Sequence, residues 1–315
     1  MKRKTVFFLL KLVFGLGLML YLVLTIARPR EIIAVLGSVS WPLLALAFSL
    51  HALGYLISAK RWKLILDERG AAFTLPQLIR SLLVGTFFNL FLPTRFGGDV
   101  VRVSDTRHIE QGMTASLAVI VYERLSGIVV LLLFALVASL MKISFIRQMP
   151  MLYVSLVVSL LGIFLLLLAW KKVPRGFLAR RPCRSSWLRR ALDKLDSFHA
   201  IILDFVNHPV LSRRVFFWAV LLQFNVMMHF FFFGQALHMG RIPILDYFFS
   251  IPIMLFILSF PISINGIGVR DLFLINFFGL YGYPPQYAIA FSLLDLSFSL
   301  LLGIIGGVIY IFRGK

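Results

Sequence analysis

The sequence predicts an all-α polytopic membrane protein with about six transmembrane helices and two re-entrant helical loops arranged as an inverted repeat. Three observations lead to this prediction. The chain is 60% hydrophobic, only 14% charged and has a mean hydropathy of +0.93, whereas soluble domains carry about 25% charged residues. Several apolar stretches approach or exceed the ~20 residues that a helix needs to cross a bilayer. Two shorter apolar runs each end at a proline, and Gly-containing polar sequence follows them.

The long apolar stretches are the predicted transmembrane helices. The first follows the basic sequence MKRK and no small-residue cleavage site follows it, which favours a retained helix over a signal peptide. The two short runs, 81–93 and 247–261, supply only about 20 Å of helix against a hydrocarbon core of ~30 Å. They are therefore predicted to be re-entrant. The predicted spans are residues 6–26, 41–58, 113–140, 151–170, 214–237 and 286–312.

The basic charge of the chain is interpreted as a membrane feature. The formal net charge is +19, but much of it flanks apolar spans, where topology bias and anionic lipid head groups explain it more simply than nucleic acid does. No nucleic-acid partner is therefore predicted. Residues 171–190 hold eight Lys or Arg and no acid. If both short runs are re-entrant, this segment, residues 59–70 and both termini all face the cytoplasm.

The chain is predicted to form one integral membrane domain, residues 1–315. Repeat A covers about 41–140, repeat B covers about 214–312, and a cytoplasmic basic linker, 171–213, precedes repeat B. The linker has apolar residues near helical spacing, which predicts an amphipathic helix on the membrane surface. Because Cys183 is the single cysteine, no internal disulfide can form and cysteine usage indicates no redox compartment.

Two similar motifs follow the short runs. PTRFGGDVVR begins at Pro93 and PISINGIGVR at Pro261, and Pro, Gly, Val and Arg recur at the same positions of the two motifs. Glu123 follows the first motif and Asp295 follows the second at nearly the same distance along the chain. Broken or re-entrant helices at matching positions of two inverted halves indicate a transporter binding site. The reason is that irregular backbone at membrane depth is tolerated only where protein or a water-filled cavity satisfies its polar groups.

The motif residues predict a site for an anionic group. The prolines end the helices, the glycines permit positive φ and a close approach of backbone amides to a ligand, and the arginines offer forked donors suited to phosphate. Turn-and-cap segments with ordinary interfacial arginines are the alternative. The loop-backbone candidates are Asn89, Pro93, Gly97, Gly98, Pro261, Gly266 and Gly268. The substrate-binding candidates are Arg95, Asp99, Arg102, Glu123, Arg124, Arg270, Asp271 and Asp295.

Two of these candidates, Glu123 and Asp295, lie roughly 13–15 Å into their predicted helices, close to the bilayer midplane. An unpaired acid there costs at least ~2.5 kcal/mol, so each should face the protein interior. Arg124 points about 100° away from its neighbour Glu123 and need not pair with it. Two interpretations stay open. The acids exchange a proton or an arginine with an anionic head group, or they form structural pairs with Arg102 and Arg270.

The two motifs resemble those of the lysylphosphatidylglycerol synthase transmembrane-region family, whose members are also described as flippase-like domain proteins. The resemblance covers roughly residues 6–312 and rests on Asn89, Pro93, Arg95, Gly98, Asp99, Arg102, Glu123-Arg124, Pro261 and Gly266-Ile267-Gly268-Val269-Arg270-Asp271. The sequence departs from the family pattern at PISING, which lacks a second Pro and paired Gly, and at Gly127, where an acid often stands. The resemblance implies a bacterial-type inner-membrane protein related to the lipid-flipping part of the bifunctional lysylphosphatidylglycerol enzymes.

The predicted function is translocation of an anionic lipid, of phospholipid or polyprenyl-phosphate type, through a cavity lined by the two motifs. A membrane-embedded lipid-modifying transferase and a non-transporting accessory subunit of an envelope lipid or glycan synthesis complex are the alternatives. Among the 13 acids there is no Asp-x-Asp pair, and the sequence has no His-rich cluster or Gly-rich nucleotide loop, so no catalytic, cofactor or metal site is predicted. His51 and His229 lie in apolar spans without a second ligand at helical spacing and are expected to be satisfied core residues. The resemblance implies that aminoacyl transfer belongs to a large soluble domain, which this chain is not expected to contain.

Overall fold

The computed structural model of the protein describes residues 29–91, 97–109, 112–142, 150–172, 186–259 and 266–313. Within these ranges the regular secondary structure is helical throughout, which confirms the predicted all-α membrane fold. The 11 described helices are α1 Pro29–Gly37, α2 Trp41–Asp67, α3 Leu75–Phe91, α4 Gly97–Thr106, α5 Gly112–Met141, α6 Pro150–Lys172, α7 Ser186–Asn207, α8 Pro209–Ala236, α9 Ile244–Ser259, α10 Val269–Gly279 and α11 Pro285–Phe312. Among them, α2, α5, α8 and α11 are long and apolar enough to cross a membrane. The predicted span 6–26 lies outside the described residues.

Several helices begin where the sequence provides a start signal. Pro209 and Pro285 occupy the first turns of α8 and α11, where a missing N–H costs nothing because it would have no helical partner. His208 caps α8, since its Nδ1 accepts a hydrogen bond from the Leu211 amide at 3.2 Å. α8 and α11 therefore begin at these signals, and no proline interrupts the apolar sequence that follows within each helix.

The helices α2–α5 and α8–α11 follow the same order of lengths: long, short, short, long. The offset along the chain from the start of α2 to the start of α8 equals the offset between the two motifs, and the offset from α5 to α11 is only slightly larger. The packing repeats as well, because α3 lies against α11 as α9 lies against α5, and α1 lies against α11 as α7 lies against α5. The described helices therefore fall into two halves, α2–α5 and α8–α11, with the same helix order and matching contacts between helices. The inverted repeat that this pattern favours stays a prediction.

The halves meet along α2 and α8, which run antiparallel. At one end of the contact the Lys60 ammonium lies 5.9 Å from the centre of the Trp218 ring. At the other end the Ser40 amide donates a hydrogen bond to the Ala236 carbonyl at 2.9 Å. A two-fold axis that exchanges two antiparallel helices is perpendicular to both, so it lies in the membrane plane if both helices span. The bilayer orientation of each half, the re-entrant paths and the cytoplasmic side of each segment stay predictions.

Small residues set the distance between α11 and α3. A Cβ added at Gly307 would lie 2.8 Å from ring carbons of Phe87, and Gly306 faces the backbone of Leu83. Glycines at helix contacts let two backbones approach closely and gain van der Waals contact, which is the main source of helix association in lipid. This packing holds the last long helix of one half against the first short helix of the other.

The helix that contains the first described span, 41–58, extends beyond the predicted end of that span. α2 continues to Asp67, and its last turns bury Arg61 and Trp62, which are 5% and 0% exposed. The basic residues of 59–70 predict a cytoplasmic segment, and its side of the membrane stays a prediction. The helix continues because its inward face is apolar and the charge of Arg61 is neutralised inside the protein by Glu123.

A helix also occurs in the predicted linker 171–213. It is α7, whose apolar face buries Ile201, Ile202 and Phe205. Because α7 packs against α5 and α8, this apolar face is covered by the protein itself. The residues between α6 and α7 lie outside the described ranges.

Candidate functional site

The first half holds a buried carboxylate that is shared by two arginines, here named centre A (Arg61, Arg102 and Glu123). Glu123 on α5 is 2% exposed. Arg61 on α2 donates from Nη2 to Glu123 Oε1 at 3.0 Å, and Arg102 on α4 donates from Nη2 to Oε2. The Ser58 hydroxyl lies 3.4 Å from Oε1, and the Arg102 guanidinium stacks 4.1 Å from the centre of the Trp62 ring. Three helices thus meet at one acid.

A second acid adjoins centre A. Asp99 on α4 forms a 2.6 Å ion pair with Arg124 and lies 3.7 Å from Arg102 Nη1. Arg124 therefore pairs with Asp99, as its direction on the helix allowed, while Glu123 pairs elsewhere. With two acids and three arginines, the group carries one excess positive charge.

Centre A has more donors than the described protein groups use. Arg61 Nε and Nη1 and Arg102 Nε are buried and have no hydrogen-bond partner among the described residues. Gly127 leaves room beside them, since a Cβ at that position would lie 3.4 Å from Arg61 Nη1. A buried charged donor without a partner costs about 1–3 kcal/mol or more. Centre A is therefore suited to accept an anion, whose oxygens would satisfy these donors.

The second half holds the matching acid, here placed in centre B (His51, His229, Arg270 and Asp295). Arg270 Nη1 donates to Asp295 Oδ2 at 2.5 Å. Its Nε donates to the Ser292 hydroxyl at 2.7 Å, and its Nη2 to the Ser292 carbonyl at 2.9 Å. All three nitrogens of Arg270 thus have protein partners, in contrast to the arginines of centre A.

The histidines occupy the other side of Asp295. His229 Nε2 lies 3.6 Å from Asp295 Oδ1, and its Nδ1 lies 2.8 Å from the Ala47 carbonyl. The His51 and His229 rings are 5.0 Å apart. Nε2 of each histidine is buried without a hydrogen-bond partner among the residues described. The expectation of satisfied core histidines is thus met only at His229 Nδ1.

The two centres occupy corresponding positions in the two halves. The offset along the chain from Arg102 to Arg270 equals the offset from Arg61 to His229, and the offset from Glu123 to Asp295 is nearly the same. Each acid is therefore held between an arginine from the short helix after the motif and a cationic or neutral base from the first long helix. The centres differ in what they leave unused: centre A has spare donors, whereas centre B has spare nitrogen lone pairs.

A cavity of about 390 Å³ lies between the two centres. It reaches His229 and Asp295 of centre B and Ser58, whose hydroxyl faces Glu123 of centre A. The remaining polar side chains of its wall come from α2, α8 and α11: Tyr55, Gln223, Asn225 and Ser299. Helices from both halves line the cavity, and apolar side chains such as Leu222 and Phe230 stand beside these polar groups. The cavity therefore borders centre B directly and comes next to centre A through Ser58.

The predicted loop glycines fall into two groups. Gly266 and Gly268 have φ of 77° and 81°, a backbone conformation that glycine permits. Gly97 and Gly98 lie within α4 and do not have a positive φ. Gly98 is required for close packing instead, because an added Cβ would lie 2.7 Å from Asn89 Nδ2, and its amide donates to Asn89 Oδ1 at 2.7 Å.

Of the remaining predicted residues, one caps a helix and three lie outside the described residues. Asp271 is buried and accepts a hydrogen bond from the Gly268 amide at 2.8 Å, so it caps α10 locally. Pro93, Arg95 and Pro261 lie outside the described residues. Sequence reasoning missed Arg61 altogether, although its offset from His229 matches the offset between the two motif arginines.

Comparison with known proteins identifies the family of the chain. The sequence profile of the family described as "Lysylphosphatidylglycerol synthase TM region" matches residues 8–307. The chain belongs to this family. A UPF0104 membrane protein of Methanothermobacter thermautotrophicus is 24% identical over 324 residues, covering 94% of this chain and 91% of that relative. UPF0104 membrane protein MJ1595 of Methanocaldococcus jannaschii is 24% identical over 327 residues, covering 98% and 94%. No solved structure matches the chain.

Proposed function

We propose that this member of the lysylphosphatidylglycerol synthase TM region family translocates an anionic lipid across a bacterial-type inner membrane. The lipid is of phospholipid or polyprenyl-phosphate type. Its head group passes through the cavity between centres A and B while its tails remain in the bilayer. The observation that carries the proposal is the cavity that His229 and Asp295 of centre B border and that Ser58 connects to Glu123 of centre A.

The charge of centre A favours a phosphate head group. Arg61 and Arg102 share one carboxylate and keep three buried N–H-bearing nitrogens unused by the described residues. Arginine binds phosphate through parallel hydrogen bonds, which a point charge cannot reproduce. A phosphate can therefore engage the spare donors first, without breaking the pairs with Glu123, whose rupture would cost about 3–5 kcal/mol.

An apolar groove suits the tails. It has a volume of about 410 Å³ and lies along α2 and α8, on a face that includes Leu53, Leu56, Trp218 and Phe224. Lys60 is the charged residue of its wall, where a long side chain can extend its ammonium toward a head group. Asn225 lines both this groove and the cavity, so a lipid with its chains in the groove would lie beside the cavity.

The family name supports recognition of a phosphate and not of net negative charge, because the lysyl group makes lysylphosphatidylglycerol cationic overall. The name refers to lysylphosphatidylglycerol, a phospholipid with one phosphate in its head group. This chain carries the transmembrane region of such proteins, and the proposal assigns to it the handling of a phosphate-bearing lipid rather than the synthesis of one.

Reconstituted vesicles test the proposal. Purified protein is placed in vesicles with a fluorescently labelled anionic phospholipid, and leaflet exchange is measured by chemical quenching from outside, with mass spectrometry of the lipids afterwards. We expect exchange faster than in protein-free vesicles and no new covalent product. Arg61→Gln should abolish the gain, whereas Arg213→Gln, an exposed arginine on α8, should preserve it.

The alternatives give different results in the same experiment. A covalently modified lipid would identify a membrane-embedded transferase. Protein-free exchange rates together with a stable copurifying envelope-biosynthesis protein would identify an accessory subunit. Exchange that is equal in wild type and Arg61→Gln would remove centre A from the mechanism.

A further inference from the structure

We propose that His51, His229 and Asp295 bind a divalent first-row transition-metal ion of the Zn²⁺ type. One potential ligand atom from each residue lies within 4.8 Å of the others. The three residues come from three helices, α2, α8 and α11. This inference is independent of the proposed lipid transport, because it concerns the unused lone pairs of centre B.

Hydrogen bonding orients His229 as a ligand. A backbone carbonyl can only accept, so the 2.8 Å contact with Ala47 places the proton of the neutral ring on Nδ1. Nε2 then presents its lone pair toward Asp295 Oδ1, 3.6 Å away. Two acceptors facing each other in a buried site repel, and a cation between them removes the repulsion.

The surroundings match the outer shell of a metal site. Histidine ligands usually donate their second nitrogen to a carbonyl or carboxylate, and ligand carboxylates are themselves hydrogen-bonded. Here the Ala47 carbonyl holds His229, and Arg270 holds Asp295 Oδ2, which leaves Oδ1 for the metal. His51 contributes an Nε2 that is buried and has no hydrogen-bond partner among the described groups.

The distances require a small adjustment. Metal–ligand bonds of ~2.0–2.1 Å in a tetrahedral site place ligand atoms about 3.3 Å apart. The separation of 3.6 Å between His229 Nε2 and Asp295 Oδ1 is already close to this value. The widest separation between ligand atoms is up to 4.8 Å. Closing it requires one ring, such as that of His51, to move by roughly an ångström or more. The same residues border the cavity, so the fourth position is open to water or to an anion.

The donor set selects the metal class. Two imidazoles and one carboxylate suit Zn²⁺ and neighbouring first-row ions, whereas Mg²⁺ and Ca²⁺ prefer oxygen ligands. A Mg²⁺ or Ca²⁺ excess should therefore leave the site unchanged.

The test measures Zn²⁺ on metal-stripped, tag-free protein in detergent, by equilibrium dialysis and elemental analysis. We expect about one tightly bound Zn²⁺ per chain, retained in millimolar Mg²⁺. His229→Gln and Asp295→Asn should each weaken binding by about tenfold or more, since even outer-shell changes cost 10–100-fold. His51→Gln is a second ligand variant with no hydrogen bond to lose among the described residues. His108→Ala, an exposed histidine, is the matched control and should bind as wild type does.

Cobalt spectroscopy provides the second measurement. Co²⁺ in place of Zn²⁺ should give the visible absorption of a low-coordinate nitrogen–oxygen site, and His51→Gln should remove it while the protein stays monodisperse on gel filtration. Stoichiometric Zn²⁺ binding that survives in folded His51→Gln and Asp295→Asn would overturn the proposal. Absence of Zn²⁺ binding by folded wild-type protein would overturn it too, and would leave a proton as the cation between His229 and Asp295.

Discussion

Replacing Glu123 together with Arg102 should destabilise the protein more than replacing Asp295 together with Arg270. The reason is that two arginines share Glu123, whereas one arginine binds Asp295. Glu123→Gln leaves Arg61 and Arg102 buried without their shared acid, and breaking a buried ion pair in this way costs about 3–5 kcal/mol. Adding Arg102→Gln removes one uncompensated charge but leaves Arg61, whose side chain is 6% exposed. We therefore expect the double variant of centre A to stay destabilised by most of this amount.

The double variant of centre B leaves no buried arginine without an acid in that centre. Arg270→Gln with Asp295→Asn removes both charges of one pair, and His229 can remain neutral beside them. Loss of both partners of a buried pair can be nearly neutral. A triple variant of centre A that adds Arg61→Gln removes its last unpaired charge and should recover stability.

Thermal unfolding in detergent, followed by tryptophan fluorescence and gel filtration, measures the difference. One kcal/mol corresponds to about 2–4 °C in domains of 150–250 residues, so the centre A double should unfold roughly 10 °C below the centre B double. Equal unfolding temperatures for the two doubles would refute the assignment of Arg61 to centre A. So would a triple variant no more stable than the centre A double.

Two further predictions concern packing and topology. Gly98→Ala should destabilise the protein by about 1–3 kcal/mol, because its Cβ would lie 2.8 Å from a backbone oxygen of α3. Gly37→Ala is the control, since no atom lies within 4 Å of the added Cβ. It should have little effect on the unfolding temperature in the same assay. Single cysteines in a cysteine-free background should react with an impermeant reagent from outside at 262–268 and not at 94–100. Equal labelling of 175–185 from outside would contradict the cytoplasmic linker.

The long helices could be predicted from the sequence because each contains a continuous apolar stretch long enough to cross a bilayer. The predicted span 113–140 corresponds to α5, Gly112–Met141. The structural pairs of Glu123 with Arg102 and of Asp295 with Arg270 were also among the open interpretations, since a deep acid needs a partner and the motif arginines recur with nearly the same spacing. The length of an apolar stretch and the cost of an unpaired acid within it can both be read from the local sequence.

Arg61 could not be predicted by the same reasoning. Basic residues at the end of an apolar stretch indicate a cytoplasmic border, and the partner that neutralises Arg61 is Glu123, 62 residues further along the chain. Only the tertiary fold shows that α2 remains buried at this point. The sequence indicated Arg61 in one way, because its offset from His229 equals the offset from Arg102 to Arg270. This match can be recognised only after the two halves have been aligned.

The histidine cluster was missed for a related reason. Metal sites are recognised in sequences by ligands at short, regular spacing, and the predicted absence of a metal site rested on that rule. His51, His229 and Asp295 lie on three different helices, so no local spacing connects them. They are brought together by the antiparallel packing of α2 on α8 and by the position of α11.

Leaflet exchange of a labelled anionic phospholipid, measured per folded protein in reconstituted vesicles, tests the central claim most directly. The comparison uses wild type, Arg61→Lys, Arg102→Lys and the exposed-site control Arg213→Gln. If the arginines hold a phosphate during transport, both lysine variants should lose most of the exchange although the positive charge remains, because lysine lacks the forked donors. The control should exchange as fast as wild type. Wild-type vesicles that exchange lipid no faster than protein-free vesicles, or lysine variants as active as wild type, would contradict the account.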